Sequence, residues 1–182
     1  MKIDEVTAWK PFITPSGEVI DLSFLDAHQA FYRHEKADKP PITYEFWVTY
    51  SFHCFAKDYG ALAEDQRQQL MYHGPRESRP FCHVRYGLAK SYLRLIISNL
   101  GSPEALVRHA GWESYATAKI IDSSGTELWY LVPFKVFRER KKFRIHVTSA
   151  YPIAEKPGGD KVGFFTIAHN LKAGKALPKP RR

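Results

Sequence analysis

The sequence predicts an α+β protein in which helices pack on one face of a mainly antiparallel sheet, with a C-terminal four-stranded meander. Apolar residues recur at helical spacing in residues 86–100, whereas alternation of period two dominates the chain after residue 105. The connections DSSG, RERKK and EKPGGDK are turn-like, and short turns join antiparallel neighbours. With 182 residues, 44% of them hydrophobic, the chain is long enough to bury one core.

We expect a single α+β domain over residues 1–172, divided into an N-terminal half, 1–80, and a helix with the meander, 81–172. A basic, flexible tail is predicted at 173–182, because LKAGKALPKPRR combines cationic residues with Gly and Pro. The 12 Phe and 10 Tyr residues indicate a core dominated by large rings, with some rings left for a partner.

In the first half, a turn and a strand are predicted for SGEVIDLSFL, and a short helix capped by Asp26 for DAHQAFYRHE. The clearest strand is ITYEFWVTYSFHCF, which is rich in β-branched and aromatic residues. A helix from Leu62 to Tyr72 and the surface loop HGPRESRP are expected next. This half therefore combines short helices with one long strand.

In the second half, the most regular helix is predicted for residues 86–100, with Gly101 placed to end it. Candidate strands follow at Leu106–His109, Tyr115–Ile121, Glu127–Phe137, Phe143–Ala150 and Val162–Ala168. Pro133 has no N–H to donate to a ladder, so we expect its strand to lie at an edge or to break at a bulge.

The formal net charge of +8 is unevenly spread along the chain. From Pro133 onward there are 13 Lys and Arg against 3 acidic residues, a balance of +10, whereas residues 1–132 hold 14 against 16. A basic third of this kind is typical of a face or arm that binds a polyanion, although a solvated basic tail gives the same count.

Compartment and metal content are also indicated by the sequence. The first residues are partly acidic, unlike a signal peptide, and no apolar run approaches the roughly 18 residues of a membrane helix. We therefore predict a cytoplasmic protein without a membrane partner. The pairs His53-Cys54 and Cys82-His83 contain zinc-ligand types, but adjacent strand residues point to opposite faces. No metal and no cofactor are predicted.

Two groups of residues are candidates for binding or chemistry. In GPRESRPFCHVRY, Arg76, Arg79 and Arg85 lie close to a helix start and suit a phosphate. Equally, Arg76 or Arg79 pairs with Glu77 and neighbouring carboxylates, and Arg85 packs against Tyr86. In KKFRIHVTSAYP, Arg144, His146 and Thr148 share one face of a strand at roughly 6.8 Å intervals. The preceding turn adds Arg138, Arg140, Lys141 and Lys142, and these cations favour a neutral His146 imidazole that acts as a general base.

The order of a helix, an antiparallel meander and a strand ending in SAYP resembles the barnase/EndoU/colicin/RelE-like superfamily of RNases, over about residues 84–168. The resemblance implies helices on one face of the sheet and RNA on the other. It implies an active face at Arg144, His146 and Thr148, an aromatic or phenolic group at Tyr151, and a second proton-transfer group at His169 on a neighbouring strand. The long first half departs from the small toxins of this group.

The leading hypothesis is a toxin-like nuclease that cleaves RNA without metal. His146 would be the general base or acid, Arg144 would stabilise the phosphorane, Tyr151 would stack or donate a proton, and Arg140 with Lys142 would bind phosphate. Such a protein would have RNA as its partner and a neutralising protein beside it.

Two other hypotheses fit the same residues, because any half-exposed antiparallel strand has a polar side. One is a non-catalytic nucleic-acid-binding or regulatory protein of bacterial or phage type, which uses the charged strand only for phosphates. The other is a structural or interaction domain whose acidic partner meets the basic third.

Overall fold

The computed structural model describes residues 6–60, 62–75, 77–111, 114–123 and 126–180. The strands are β1 (Phe12–Ile13), β2 (Val19–Ile20), β3 (His28–Lys36), β4 (Lys39–Tyr50), β5 (Met71–His73), β6 (Ser78–Pro80), β7 (Val107–His109), β8 (Ser114–Ser123), β9 (Thr126–Glu139), β10 (Lys142–Val147) and β11 (Tyr151–Ile153). The helices are α1 (Glu64–Gln69), α2 (His83–Leu88), α3 (Arg94–Ser98) and α4 (Phe164–Lys172), and a π-helical turn, Ala89–Leu93, joins α2 to α3.

The main sheet has the strand order β3-β4-β10-β9-β8-β7, and β11 pairs with β9 beyond the end of β10. All its strand pairs are antiparallel except β4 with β10, which run parallel. The α+β class with a mainly antiparallel sheet is therefore confirmed. The parallel pair brings the first half of the chain against the basic third.

The two sides of this sheet differ in composition, because successive residues of a strand point to opposite faces. We call the side that carries Tyr32, Phe46, Val48, Phe134, Val136, Ile145 and Val147 the apolar face. We call the opposite side the polar face; it carries Gln29, Phe31, Glu45, Trp47, Thr49, Ser114, Lys135, Phe137, Glu139, Lys142, Arg144 and His146.

The helices contact the apolar face. The Tyr32 hydroxyl donates to the carbonyl of Ile97 in α3 at 2.7 Å, and the ring of Phe164 in α4 lies 4.5 Å from that of Tyr32 and 5.7 Å from that of Phe46. Burial of these rings stabilises the fold by roughly 25 cal/mol per Å² of apolar surface removed from water. The core therefore lies between this face and the helices.

A cluster of rings from the first half extends the core. Phe12 of β1 stacks on Phe81 with a centroid separation of 4.4 Å, and Trp9 meets Phe55 edge to face at 5.2 Å. The small β1–β2 and β5–β6 sheets hold these rings in place. The predicted helix at 62–72 is shorter than expected, because β5 begins at Met71, and the expected loop HGPRESRP is largely the β5–β6 hairpin.

The helix predicted for DAHQAFYRHE is wrong, because this segment forms β3. Ala30 and Tyr32 alternate with exposed residues, and Tyr32 pairs with Tyr44 across the β3–β4 hairpin. The carboxylate of Asp26 does not cap a helix here; it accepts a hydrogen bond from the backbone N–H of Trp9 at 2.7 Å. Burial and pairing with β4 therefore outweigh the local helix signal.

The strand predicted for Val162–Ala168 is also wrong, because α4 occupies this segment. The buried residues Phe164, Ile167, Ala168 and Leu171 have the spacing of a helix face, which short apolar runs do not distinguish from a strand. His169 consequently lies on a helix and not on a strand beside β10.

Pro133 lies inside β9 and not in an edge strand, with Ala116 of β8 as its partner. Its carbonyl accepts the backbone N–H of Thr148 at 2.9 Å, between the end of β10 and the start of β11. The missing N–H of Pro133 lies where the neighbour of β9 changes from β10 to β11. The proline therefore costs the sheet few hydrogen bonds.

The segment after α4 lies against the domain. The Tyr115 hydroxyl donates to the carbonyl of Pro178 at 3.1 Å, the Asn170 side chain donates to the carbonyl of Ala176 at 2.9 Å, and Leu177 packs on the core.

In the part of the chain that the structure describes, no helix has the length and apolar character needed to cross a membrane.

Candidate nucleic-acid interface

His146 lies in a polar row that crosses the polar face. Its partners in register are Thr49 on β4 and Lys135 on β9, and Ser114 on β8 lies opposite Lys135. The Nδ1 atom of His146 is hydrogen-bonded to the Thr49 hydroxyl at 2.9 Å, and the residue is only 7% exposed. The hydrogen bond fixes the imidazole ring, and little of the ring faces solvent.

Arg144 lies in the next row, between two aromatic residues. Trp47 of β4 and Phe137 of β9 are its partners in register, and both are half-buried. The Arg144 side chain is 13% exposed, and its Nη2 donates to Oε2 of Glu139 at 3.1 Å. The row therefore has an arginine on the strand between two strands that carry aromatic residues, and its guanidinium is paired with a carboxylate.

A third ring lies at the edge of the same face. Phe31 on β3 pairs with Glu45 and is 61% exposed, which is unusual for a phenylalanine in a sheet. It lies diagonally across from Trp47, at roughly 7–8 Å by the usual geometry of adjacent strands. Phe31 was not predicted as a residue of this face, because its segment was predicted to be a helix.

The basic turn between β9 and β10 divides its charges between the two faces. Arg140 and Lys141 form the exposed tip and both have positive φ, 47° and 67°, as a two-residue hairpin turn requires. Lys142 belongs to the polar face, whereas Arg138 points to the other side, with its guanidinium 6.0 Å from the Phe143 ring. The four cations therefore do not form one cluster.

Tyr151 and His169 do not join Arg144 and His146. Tyr151 pairs with Leu131, four residues along β9 from Lys135, which is roughly 13 Å. Its ring lies 5.3 Å from the guanidinium of Arg85. α4 carries His169 and packs on the apolar face through Phe164, opposite His146. The structure thus brings together two of the four predicted catalytic residues.

Arg79 belongs to a separate ionic group on the β5–β6 hairpin. Its Nε lies 3.2 Å from Oε2 of Glu77, whose Oε1 lies 3.2 Å from Nε2 of His53. Partial burial and then Arg79 hold the pKa of His53 below its ordinary value, against the opposing effect of Glu77. Arg76 lies outside the described residues. Of the two predicted partners of Arg79, a phosphate or the carboxylate of Glu77, the structure has the carboxylate.

The side chains that commonly bind metal ions form no cluster in the described part of the chain. Among the described residues, no three His, Cys, Asp or Glu side chains lie close enough together to hold a metal ion. Cys54 and Cys82 are free and buried, and burial raises the pKa of the Cys54 thiol. These thiols pack in the core and not at the polar face.

Comparison with known proteins identifies the family of the chain. The sequence model of the YjaZ family matches residues 11–172, a range that includes every strand and helix described above. The chain belongs to the YjaZ family. The protein YjaZ of Escherichia coli (strain K12) is 53% identical over 178 residues, which cover 98% of both chains. No solved structure matches. Neither the YjaZ family name nor that of this relative states a ligand or a reaction, so function is inferred from the geometry.

Proposed function

We propose that the polar face binds single-stranded nucleic acid, with RNA as the expected polymer, and does not cleave it. The observation that supports this most is the placement of aromatic and cationic side chains on one side of the sheet. Phe31, Trp47 and Phe137 lie on the same face as Lys142 and Arg144. Proteins that bind single strands without a sequence code combine these two residue types in this way.

The spacing of the rings suits a strand with unstacked bases. Trp47 on β4 and Phe137 on β9 are separated by one strand, β10, and lie roughly 10 Å apart across the sheet, with Arg144 between them in register. Phe31 adds a third ring on the edge strand β3, diagonally across from Trp47. Stacking of a base on an aromatic ring contributes about 1–3 kcal/mol, and every base has a face that can stack. Affinity with little base preference follows from this arrangement.

Charge supplies the attraction for the phosphates. The balance of +10 lies in residues 133–182. Of its cations, Lys135, Lys142 and Arg144 lie on the polar face, whereas Arg138 and Lys172 lie on the other side. The tip residues Arg140 and Lys141 are exposed next to the polar face. Release of counterions from the polymer then makes the affinity fall steeply as salt rises.

Cleavage has less support from the same geometry. Metal-independent cleavage needs a base and an acid that both reach the reacting phosphate. His146 is buried against Thr49, whereas Tyr151 lies roughly 13 Å along β9 and His169 lies beyond the sheet. The resemblance to the RNase superfamily, and with it a toxin-like role and a neutralising partner, stays a prediction. A cytoplasmic location belongs to the proposal, since RNA is plentiful there.

One assay separates binding from cleavage. Labelled single-stranded RNA is incubated with the wild type and with His146→Ala, in a chelator and at low salt, and is analysed on native and denaturing gels. We expect both proteins to retard the RNA and leave it intact. Cleavage by the wild type that is lost in His146→Ala would instead establish the nuclease. Absence of retardation would contradict nucleic-acid binding and favour an acidic protein partner.

A further inference from the structure

A cleft of about 980 Å³ lies beside α4, on the side of the sheet away from His146. The β3–β4 hairpin, the loop that follows α3, and the start of α4 form its walls. Its size is at the upper end of the range of about 300–1,000 Å³ that is usual for small-molecule sites. It shares no residue with the polar face as defined above.

One wall of the cleft is fixed by a stacked pair of rings. The imidazole of His34 lies on the ring of Phe165, with centroids 4.1 Å apart and planes 5° apart. A Cβ atom at Gly101 would lie 2.9 Å from Cζ of Phe165 and 3.4 Å from Cδ1 of Tyr32. The absence of a side chain at Gly101 therefore leaves space for the Phe165 ring, and this ring in turn holds His34 in the wall.

The cleft is cationic at its rim and apolar at its floor. His34, His169, Lys36 and Lys39 line it together with Arg33. The only carboxylate among its lining residues is Glu35, which lies 2.9 Å from Nε of Arg33. Ile42, Tyr44, Leu100 and Phe164 supply apolar surface. The two charges of the Arg33–Glu35 pair offset each other, so the two lysines carry the remaining formal charge of the cleft.

The two imidazoles interact electrostatically. Burial, and next the charges of Lys36 and His169, hold the pKa of His34 below its ordinary value. An anion bound between these groups would relieve their repulsion, because it favours the charged forms. The cleft thus combines a fixed imidazole, a second imidazole and two ammonium groups around an apolar floor.

We propose that this cleft binds a small organic phosphate that carries an aromatic ring. The phosphate would lie at the rim, between His34, His169 and the two lysines, and the ring would lie on the floor near Tyr44. Charge complementarity selects the anion, and the apolar floor selects a phosphate ester over inorganic phosphate. A free nucleotide and the terminal nucleotide of a nucleic acid share this chemistry.

Calorimetry on the full chain tests the proposal with phenyl phosphate, inorganic phosphate and phenol as probes. We expect saturable binding of phenyl phosphate, with inorganic phosphate and phenol each at least about tenfold weaker. The double variant Lys36→Ala/Lys39→Ala should weaken the binding of phenyl phosphate about tenfold. The control double variant Lys57→Ala/Lys156→Ala removes two cations outside the cleft and should leave this binding unchanged. No saturable heat, or an equal loss in both double variants, would overturn the proposal.

A second measurement needs no substitution. The ring signals of His34 and His169 are followed by NMR during addition of phenyl phosphate, with His73, which is hydrogen-bonded to Ser78 on the β5–β6 hairpin, as the internal control. We expect the first two histidines to shift with one saturation curve while His73 stays constant. Equal shifts at all three, or none at His34 and His169, would contradict the site. Addition of adenosine monophosphate and of a short RNA then distinguishes a free nucleotide from a chain end.

Discussion

The two faces of the main sheet are built from the same strands but use their aromatic residues differently. On the apolar face, Phe46 is 0% exposed and its ring meets those of Tyr32, Phe143 and Phe164. On the polar face, Phe31 is 61% exposed. The first kind of ring stabilises the fold by burial, whereas the second contributes little to folding. Under the proposed function, the exposed ring of Phe31 is therefore available to stack on a base.

The largest expected effect is loss of a ring from the apolar face. Phe46→Ala leaves a cavity among three rings, and we expect the free energy of unfolding to fall by about 3–5 kcal/mol. Urea denaturation followed by circular dichroism measures this change. The matched control is Phe31→Ala on the polar face, which should change the free energy of unfolding by less than about 1 kcal/mol. Equal losses would show that the two faces do not differ as described.

A smaller effect is expected from added volume on the helix side. Gly101→Ala places a methyl group 2.9 Å from the Phe165 ring, so we expect a destabilisation of about 1–3 kcal/mol. Gly87→Ala is the control, because the space at this exposed position of α2 is open and alanine favours a helix by roughly 0.5–1 kcal/mol. Thermal unfolding should lower the Tm of the first variant and raise that of the second. A stable Gly101→Ala would contradict the tight packing of Phe165.

The smallest effect concerns a histidine on the apolar side. Burial and then Arg94 hold the pKa of His28 below its ordinary value of 6.5, so the unfolded chain takes up the proton first as pH falls. Stability is therefore retained above pH 6.5 and declines below it. We expect His28→Gln to make this decline shallower, as measured by urea denaturation on both sides of that pH. An unchanged slope would show that His28 does not contribute to it.

The period-two pattern of the second half predicts β7, β8, β9 and β10, because hairpin neighbours are local in sequence. The parallel pairing of β4 with β10 was not predictable, since it joins residues such as Thr49 and His146 that are 97 positions apart. Segments β3 and α4 were predicted as the wrong element, because cross-strand burial and helix packing override short local signals.

The same distinction holds for the candidate site. Alternation along one strand correctly places Arg144 and His146 on one face, since strand period is a local property. The position of His169 depends on the packing of α4, and the neighbours Trp47 and Phe31 depend on pairing with β4 and β3. The sequence therefore identifies the polar strand but not the rings that surround it.

The central claim is that the polar face binds a single strand of nucleic acid through the exposed ring of Phe31 and the half-buried rings of Trp47 and Phe137. Fluorescence anisotropy of labelled single-stranded RNA compares Phe31→Ala with Leu95→Ala, a variant at an α3 residue that is 52% exposed on the helix side. The account predicts that Phe31→Ala weakens binding by about 1–3 kcal/mol, which is roughly 5- to 150-fold, while Leu95→Ala binds like the wild type. Equal affinities for both variants and the wild type would contradict it.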